Sequence, residues 1–366
     1  MEENDETKIE KEIDKEVGEV RTEALDMSFG EIVNLHDQEE LIIDPEYQRL
    51  FRWSEDQQSK LIESVLLELP VPQIFVIENP DGVFELIDGL QRISTVIRFI
   101  NPDKIDEDPL ELDGCELING LNGQTFDDLP LRLRLRIKRS AIRMVVIKRQ
   151  SKPFLKYEMF QRLNTGGSIL EPQEIRNCSA RMLGEAGIRF YDFLKERADE
   201  DEFKACTSTI SDRDREQKGD EELVLRFYAL KNGKDLFKGH IRDWLDNYME
   251  GVLLDRIEFD YEKEKEDFSK LFGYLADVMG ENAFVKFRDN RPIGGLSPAY
   301  FEGVSVGTFK ALDEVQDVPE EEVREKIIST VQTDDFQEVT GPAANTRKKL
   351  DGRISIIEEA LLDLTQ

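Results

Sequence analysis

Apolar positions along this chain alternate between a helical and a strand period, and the switches mark its elements. Leu61, Ile62, Val65, Leu66 and Leu69 fall on one face of a helix that Ser54 and Gln57 open as a capping box. Pro70 and Pro72 stop it. Residues 73–78 and 83–87 read as strands joined through Asn79-Pro80-Asp81-Gly82, which is hairpin chemistry. Leu90, Ile93, Val96, Ile97 and Ile100 then mark another helix face. Before these come a short helix opened by Ser28 and Glu31 as a capping box and a brief strand at Leu41-Ile42-Ile43. After them the Pro-, Gly- and Asp-rich residues 101–130 predict a surface loop, 128–138 a helix, 141–147 a strand and 156–163 a helix. Pro172 suits the first position of the next helix. From about residue 179 the pattern is almost wholly helical, with helices expected over 180–199, 219–231, 234–249, 260–279, 297–312, 319–333 and 345–364, and a polar loop over 201–219.

This order predicts an α+β fold. A small mixed sheet with helices occupies 25–180, where the hairpin makes part of the sheet antiparallel. An all-α domain occupies 181–366. The charged, Pro-free residues 1–24 read as an acidic tail outside the core.

Composition narrows the function classes. No apolar run is long enough to cross a membrane, so no membrane partner is expected. Three scattered cysteines (Cys115, Cys178 and Cys206) suit a reducing cytoplasm, and the acidic N-terminus has the wrong sign for a signal peptide. Two histidines, His36 and His240, exclude a multi-histidine metal site and an HNH nuclease centre within these residues. The net charge of −30 disfavours general binding to DNA. One stretch departs from it: residues 132–176 carry twelve Lys and Arg against three acids. That island reads either as a solvated basic helix and strand or as a local field that draws a nucleotide.

The chemistry concentrates at Asp88-Gly89-Leu90-Gln91-Arg92. A strand that turns through glycine into a helix leaves backbone N–H groups free for an anion. Here the turn also holds a carboxylate, an amide and a guanidinium. No P-loop pattern is present, so phosphate recognition would need this other architecture.

Two further blocks flank the turn: Pro45-Glu46-Tyr47-Gln48-Arg49 through Trp53, and Phe160-Gln161-Arg162-Leu163-Asn164-Thr165-Gly166-Gly167 followed by Gln173-Glu174-Ile175-Arg176-Asn177. Together the three blocks resemble a prokaryotic domain-of-unknown-function family whose motif is written D-G-Q-Q-R. That family forms the N-terminal, GmrS-like half of GmrSD-type modification-dependent restriction enzymes. The stretches 221–227 and 284–311 resemble its helical remainder. The chain departs from the motif at Leu90, where the family has glutamine.

The resemblance implies a ParB/sulfiredoxin-like fold that binds nucleoside triphosphate, with Mg²⁺. Carried over, Asp88 and Gln91 are the catalytic candidates, with Asp88 also the metal candidate. Arg49, Gly89, Arg92, Arg162, Asn164, Thr165 and Gly166 would bind phosphate, and Tyr47 and Trp53 would contact the base. Each has an alternative: Tyr47 as a core anchor, Trp53 as the hydrophobic staple of the helix after it, Arg49 as surface charge, Asn164 as a helix cap. The functions implied are an NTP-hydrolysing, phage-defence protein, a non-catalytic regulatory module, or a DNA-binding ParB-like protein. A separate nuclease subunit is the expected partner, and a homo-oligomer is compatible.

Overall fold

The computed structural model describes residues 21–43, 53–104, 107–148, 172–181, 184–341 and 345–365. Contacts divide the chain into two units, 1–169 and 170–366.

The first unit is built on a five-stranded sheet in the order β1-β5-β3-β4-β2. The strands are β1 (Thr22–Ser28), β2 (Leu41–Ile42), β3 (Ile74–Glu78), β4 (Phe84–Asp88) and β5 (Ala141–Ile147). The β3–β4 hairpin is antiparallel, as is β1 with β5, while β2–β4 and β3–β5 are parallel. Among the described residues, four helices accompany the sheet: α1 (Phe29–Asp37), α2 (Glu55–Leu66), α3 (Leu90–Ile100) and α4 (Leu131–Arg139). Their apolar stripes form the core, with Phe29, Ile32, Ile62, Ile93, Val96, Ile97 and Ile137 fully buried. The expected α+β architecture is therefore present.

Four local expectations need correction. Strand β1 begins at Thr22, inside the segment read as a tail; its side chains are mostly exposed, so no apolar alternation marked it. Helix α2 ends at Leu66, before the prolines; Glu68 turns to φ 58° and leaves Leu69 46% exposed, off the stripe. The predicted surface loop after α3 is packed: Leu110, Leu112, Cys115, Leu121 and Leu129 are buried. Glu63 of α2 anchors it, accepting the backbone N–H groups of Leu117 and Ile118 at 2.8 and 2.6 Å. The staple also differs. The capping box of Ser54 and Gln57 forms, but the residue placed to meet Trp53 is Gln58, whose Nε2 donates to the Trp53 carbonyl at 2.8 Å.

The second unit is helical: α5 (Pro172–Arg181), α6 (Glu185–Ala198), α7 (Asp201–Cys206), α8 (Asp212–Glu216), α9 (Gly219–Asn232), α10 (Ile241–Leu253), α11 (Tyr261–Val278), α12 (Pro298–Val315), α13 (Glu320–Val331), α14 (Asp334–Thr340) and α15 (Arg347–Leu362). The expected polar loop over 201–219 is instead α7 and α8. Phe203 and Cys206 are the inward residues of α7, too few to give a readable period. Phe203 joins an aromatic core with Phe268, Phe272 and Phe301. A small hairpin, β6 (Lys286–Arg288) with β7 (Arg291–Ile293), lies between the expected helices 260–279 and 297–312, in a domain read as all-α. Helices α12 and α15 approach closely because Gly303 and Gly307 face Arg353 and Ile357, where a Cβ would lie 2.9 Å from the Arg353 carbonyl oxygen and 2.7 Å from the Ile357 Cβ.

Candidate functional site

Strand β4 delivers Asp88 to the start of α3. The β3–β4 register shifts between Phe75 and Val76, so that Phe75 lies opposite Asp88 while Val76 lies opposite Leu86. The extra residue on β4 is a bulge, a device that re-aims the side chains beside it. Leu86 and Ile87 can thus both be buried while Asp88 stays partly open.

Gly89 follows with φ 102° and ψ 13°, a left-handed conformation. Two requirements meet there. An L side chain is strained at this φ. A Cβ would also lie 2.4 Å from the Ile74 Cγ2 atom and 3.4 Å from Arg92 Nη2. Helix α3 then begins with no side-chain cap. Of its expected stripe, Leu90, Ile93, Val96 and Ile97 are buried and Ile100 is half-buried.

Arg92 lies one turn into α3 and folds back over the bend. Its Nη2 donates to Asp88 Oδ2 at 3.0 Å and to the Gln73 carbonyl at 3.1 Å. Its Nε is buried and has no partner among the described residues. Gln91 points elsewhere: its Oε1 accepts the backbone N–H of Trp53 at 3.0 Å. The end of the Tyr47–Trp53 block is thereby tied to the first turn of α3. Leu90, at the motif's third position, is 3% exposed and belongs to the core.

Of the residues singled out from sequence, Asp88, Gly89 and Arg92 thus meet at one bend, while the Gln91 side chain turns to the backbone of Trp53. Tyr47, Arg49, Arg162, Asn164, Thr165 and Gly166 lie outside the described residues. Among the described residues, no three His, Cys, Asp or Glu side chains group as a metal site.

Over residues 132–148 the charged side chains of the basic island form a solvated, ion-paired face. Arg134 pairs with Asp127, Arg136 with Glu68 at 2.9 Å, and Arg143 with Asp26 at 3.0 Å. The Arg143 guanidinium holds the exposed Asp26 carboxyl below its usual value.

One constellation carried no assigned role in the sequence, although two of the quoted blocks build it. In the helical unit, Arg176 of α5 is buried, with Nε 2.5 Å from Asp246 and Nη1 3.0 Å from Glu222. Glu222 continues to Arg226 at 2.7 Å, and Arg226 to Glu302 at 2.6 Å. Glu302 also pairs with Arg353. Gln173 bonds Arg176 and Asn177, and Asn177 bonds Glu221. Burial pushes the Glu222 carboxyl up, but Arg226 and Arg176 outweigh it and hold Glu222 below its ordinary value. The signal in sequence was the (i, i+4) pair Glu222/Arg226 inside an otherwise apolar helix. Gln173, Glu222 and Arg226 also line a cavity of about 240 Å³ with Ile210 and Leu296.

No curated relative and no solved structure matches the chain. Residues 29–180 match the family model described as GmrSD restriction endonuclease, N-terminal domain.

Proposed function

We propose that the N-terminal unit binds a nucleoside triphosphate at the Asp88–Arg92 bend and hydrolyses it as part of a restriction system. The link to restriction systems comes from the matched domain. The nucleotide reading is carried by one observation: a buried guanidinium N–H with no partner among the described residues lies beside a helix N-terminus that no side chain caps. Phosphate oxygens suit both groups, since helix N-termini favour anions and arginine offers a planar fork of donors.

Each residue then has a task. Gly89 permits the left-handed bend that opens the N-terminus of α3. Asp88 and the Gln73 carbonyl aim Arg92, so its remaining N–H groups are already directed. Gln91 fixes the backbone at Trp53, and in this reading the Trp53 ring is the base contact. Mg²⁺ is held through few protein carboxylates plus water and phosphate oxygens, so a single Asp88 oxygen not taken by Arg92 fits its needs. When bound, the ion would neutralise phosphate charge during transfer. Arg49, Arg162, Asn164, Thr165 and Gly166 complete the phosphate site in this reading, and a separate nuclease subunit, itself acting on DNA, is the partner.

Phosphate release with several NTPs and Mg²⁺ tests catalysis. Wild type should release phosphate and Asp88→Ala should not; equal release from both would remove Asp88 from the chemistry. A second reading, binding without turnover as a regulatory module, is favoured by Leu90. Its side chain is packed in the core, so the amide that the family places there is missing from this turn. Calorimetric NTP binding with no phosphate release would select it.

A further inference from the structure

The β6–β7 hairpin carries its cations on one face. Arg288 is directly opposite Arg291, and Lys286 is opposite Ile293. Phe287, between the two cationic positions of β6, is buried, while Lys286, Arg288 and Arg291 are exposed. Strand alternation therefore turns all three cations away from the helical unit. Both turn residues, Asp289 and Asn290, are left-handed at φ 50° and 59°, the twist-matched turn of a two-residue hairpin. The tip is clamped. Asn290 N–H donates to Gln332 Oε1 at 3.2 Å, and Gln332 Nε2 donates to Asn290 Oδ1 at 2.7 Å.

Like charges directly opposite each other destabilise a strand pair, and strands of three residues have little to offset it. The exposed Arg136 and Arg256 meet the carboxylates of Glu68 and Glu250. Lys286, Arg288 and Arg291 pair with no carboxylate among the described residues, although Asp289 sits at the tip and Glu321, Glu322 and Glu325 share the surface beside Asn290. The arrangement makes sense if an external polyanion completes it.

We infer that this hairpin contacts the phosphate backbone of duplex DNA. A two-stranded ribbon fits the major groove, and adjacent guanidinium groups match the dense, regular charge of a duplex better than scattered carboxylates on a second protein. The net charge of −30 confines the contact to this ribbon and makes it salt-sensitive. The inference rests on the link to restriction systems and is independent of the nucleotide site.

The test is fluorescence anisotropy of the full chain with a labelled short duplex, between about 50 and 200 mM salt. Wild type should bind at low salt. R288A/R291A should weaken binding about tenfold or more and reduce the log–log salt slope by about 1.8, since each phosphate contact adds about 0.9. Its melting temperature should stay within about 2 °C of wild type, because both side chains are exposed. Arg92→Ala should keep full duplex affinity, which separates failure here from failure of the nucleotide reading. Absence of wild-type binding, or unchanged affinity and slope in R288A/R291A, overturns the inference. So does a self-associated form that R288A/R291A dissolves while duplex binding is unchanged.

Discussion

The side-chain oxygen of Gln91 accepts the backbone N–H of Trp53 at 3.0 Å, across 38 positions of sequence. This contact joins the first turn of α3 to the residue before the Ser54 cap of α2. Replacing Gln91 by Leu leaves that N–H without its acceptor, and a lost hydrogen bond of this kind costs about 1–2 kcal/mol. Gln91→Glu retains an acceptor oxygen. Thermal unfolding should rank wild type and Gln91→Glu above Gln91→Leu. Equal melting of all three would remove the structural role assigned to the contact.

Gly89→Ala should be more severe than its size suggests. The left-handed conformation alone costs an L residue about 1–2 kcal/mol. The new methyl group must in addition displace Ile74 Cγ2, 2.4 Å from its ideal position. A melting temperature lowered by at least about 4 °C is expected. A variant that melts like wild type would show that the bend adapts freely.

The buried chain of charges makes a different prediction. Glu302 serves both Arg226 and Arg353 in the interior of the helical unit. Glu302→Ala leaves two buried guanidinium groups facing each other, and breaking such pairs costs about 3–5 kcal/mol. Denaturant unfolding followed by near-ultraviolet dichroism of the aromatic core measures it. A loss under about 1 kcal/mol would mean that water or neighbouring carboxylates take over the charges.

Long, strongly periodic elements were legible in sequence because burial follows their period. Helix α3 is the clearest case: every buried stripe residue from Leu90 to Ile97 sits where the spacing puts it. Elements held by polar contacts were not legible. Strand β1 exposes most of its side chains, and the loop after α3 is ordered by the carboxylate of Glu63, a contact between residues 54 and 55 positions apart. At the site, the bend and its glycine followed from Asp-Gly before an apolar helix. The pairing of Arg92 with Asp88 was not legible, because Asp88 lies on β4 before the bend, where helical (i, i+4) spacing does not operate. The engagement of Gln91 by Trp53 was not, because nothing local specifies a backbone partner so distant. The Arg176–Glu222–Arg226 network escaped for the same reason: it joins two blocks that share no period.

Acid should weaken the helical unit through Glu222. Its carboxyl is held below the ordinary value by Arg226 and Arg176 against the opposing effect of burial. The unfolded chain therefore binds the proton first. The stabilisation is present above the unfolded value, about 4.3, and is lost as pH falls through the lower folded value. Glu222→Gln should be less stable than wild type at pH 7 and should approach it below about pH 4. A constant gap between the two across that range would contradict the assigned protonation state.

The most direct measurement is a thermal-shift panel with ATP, GTP, CTP and UTP plus Mg²⁺, on wild type and Arg92→Ala, each compared with its own unliganded form. Ligand at about 100 times its dissociation constant adds about 2.7 kcal/mol to the native state, a rise of several degrees. Wild type should show that rise with at least one nucleotide, and Arg92→Ala should lose it. No rise in wild type, or an equal rise in the variant, would contradict the assignment of the Asp88–Arg92 bend as the phosphate site.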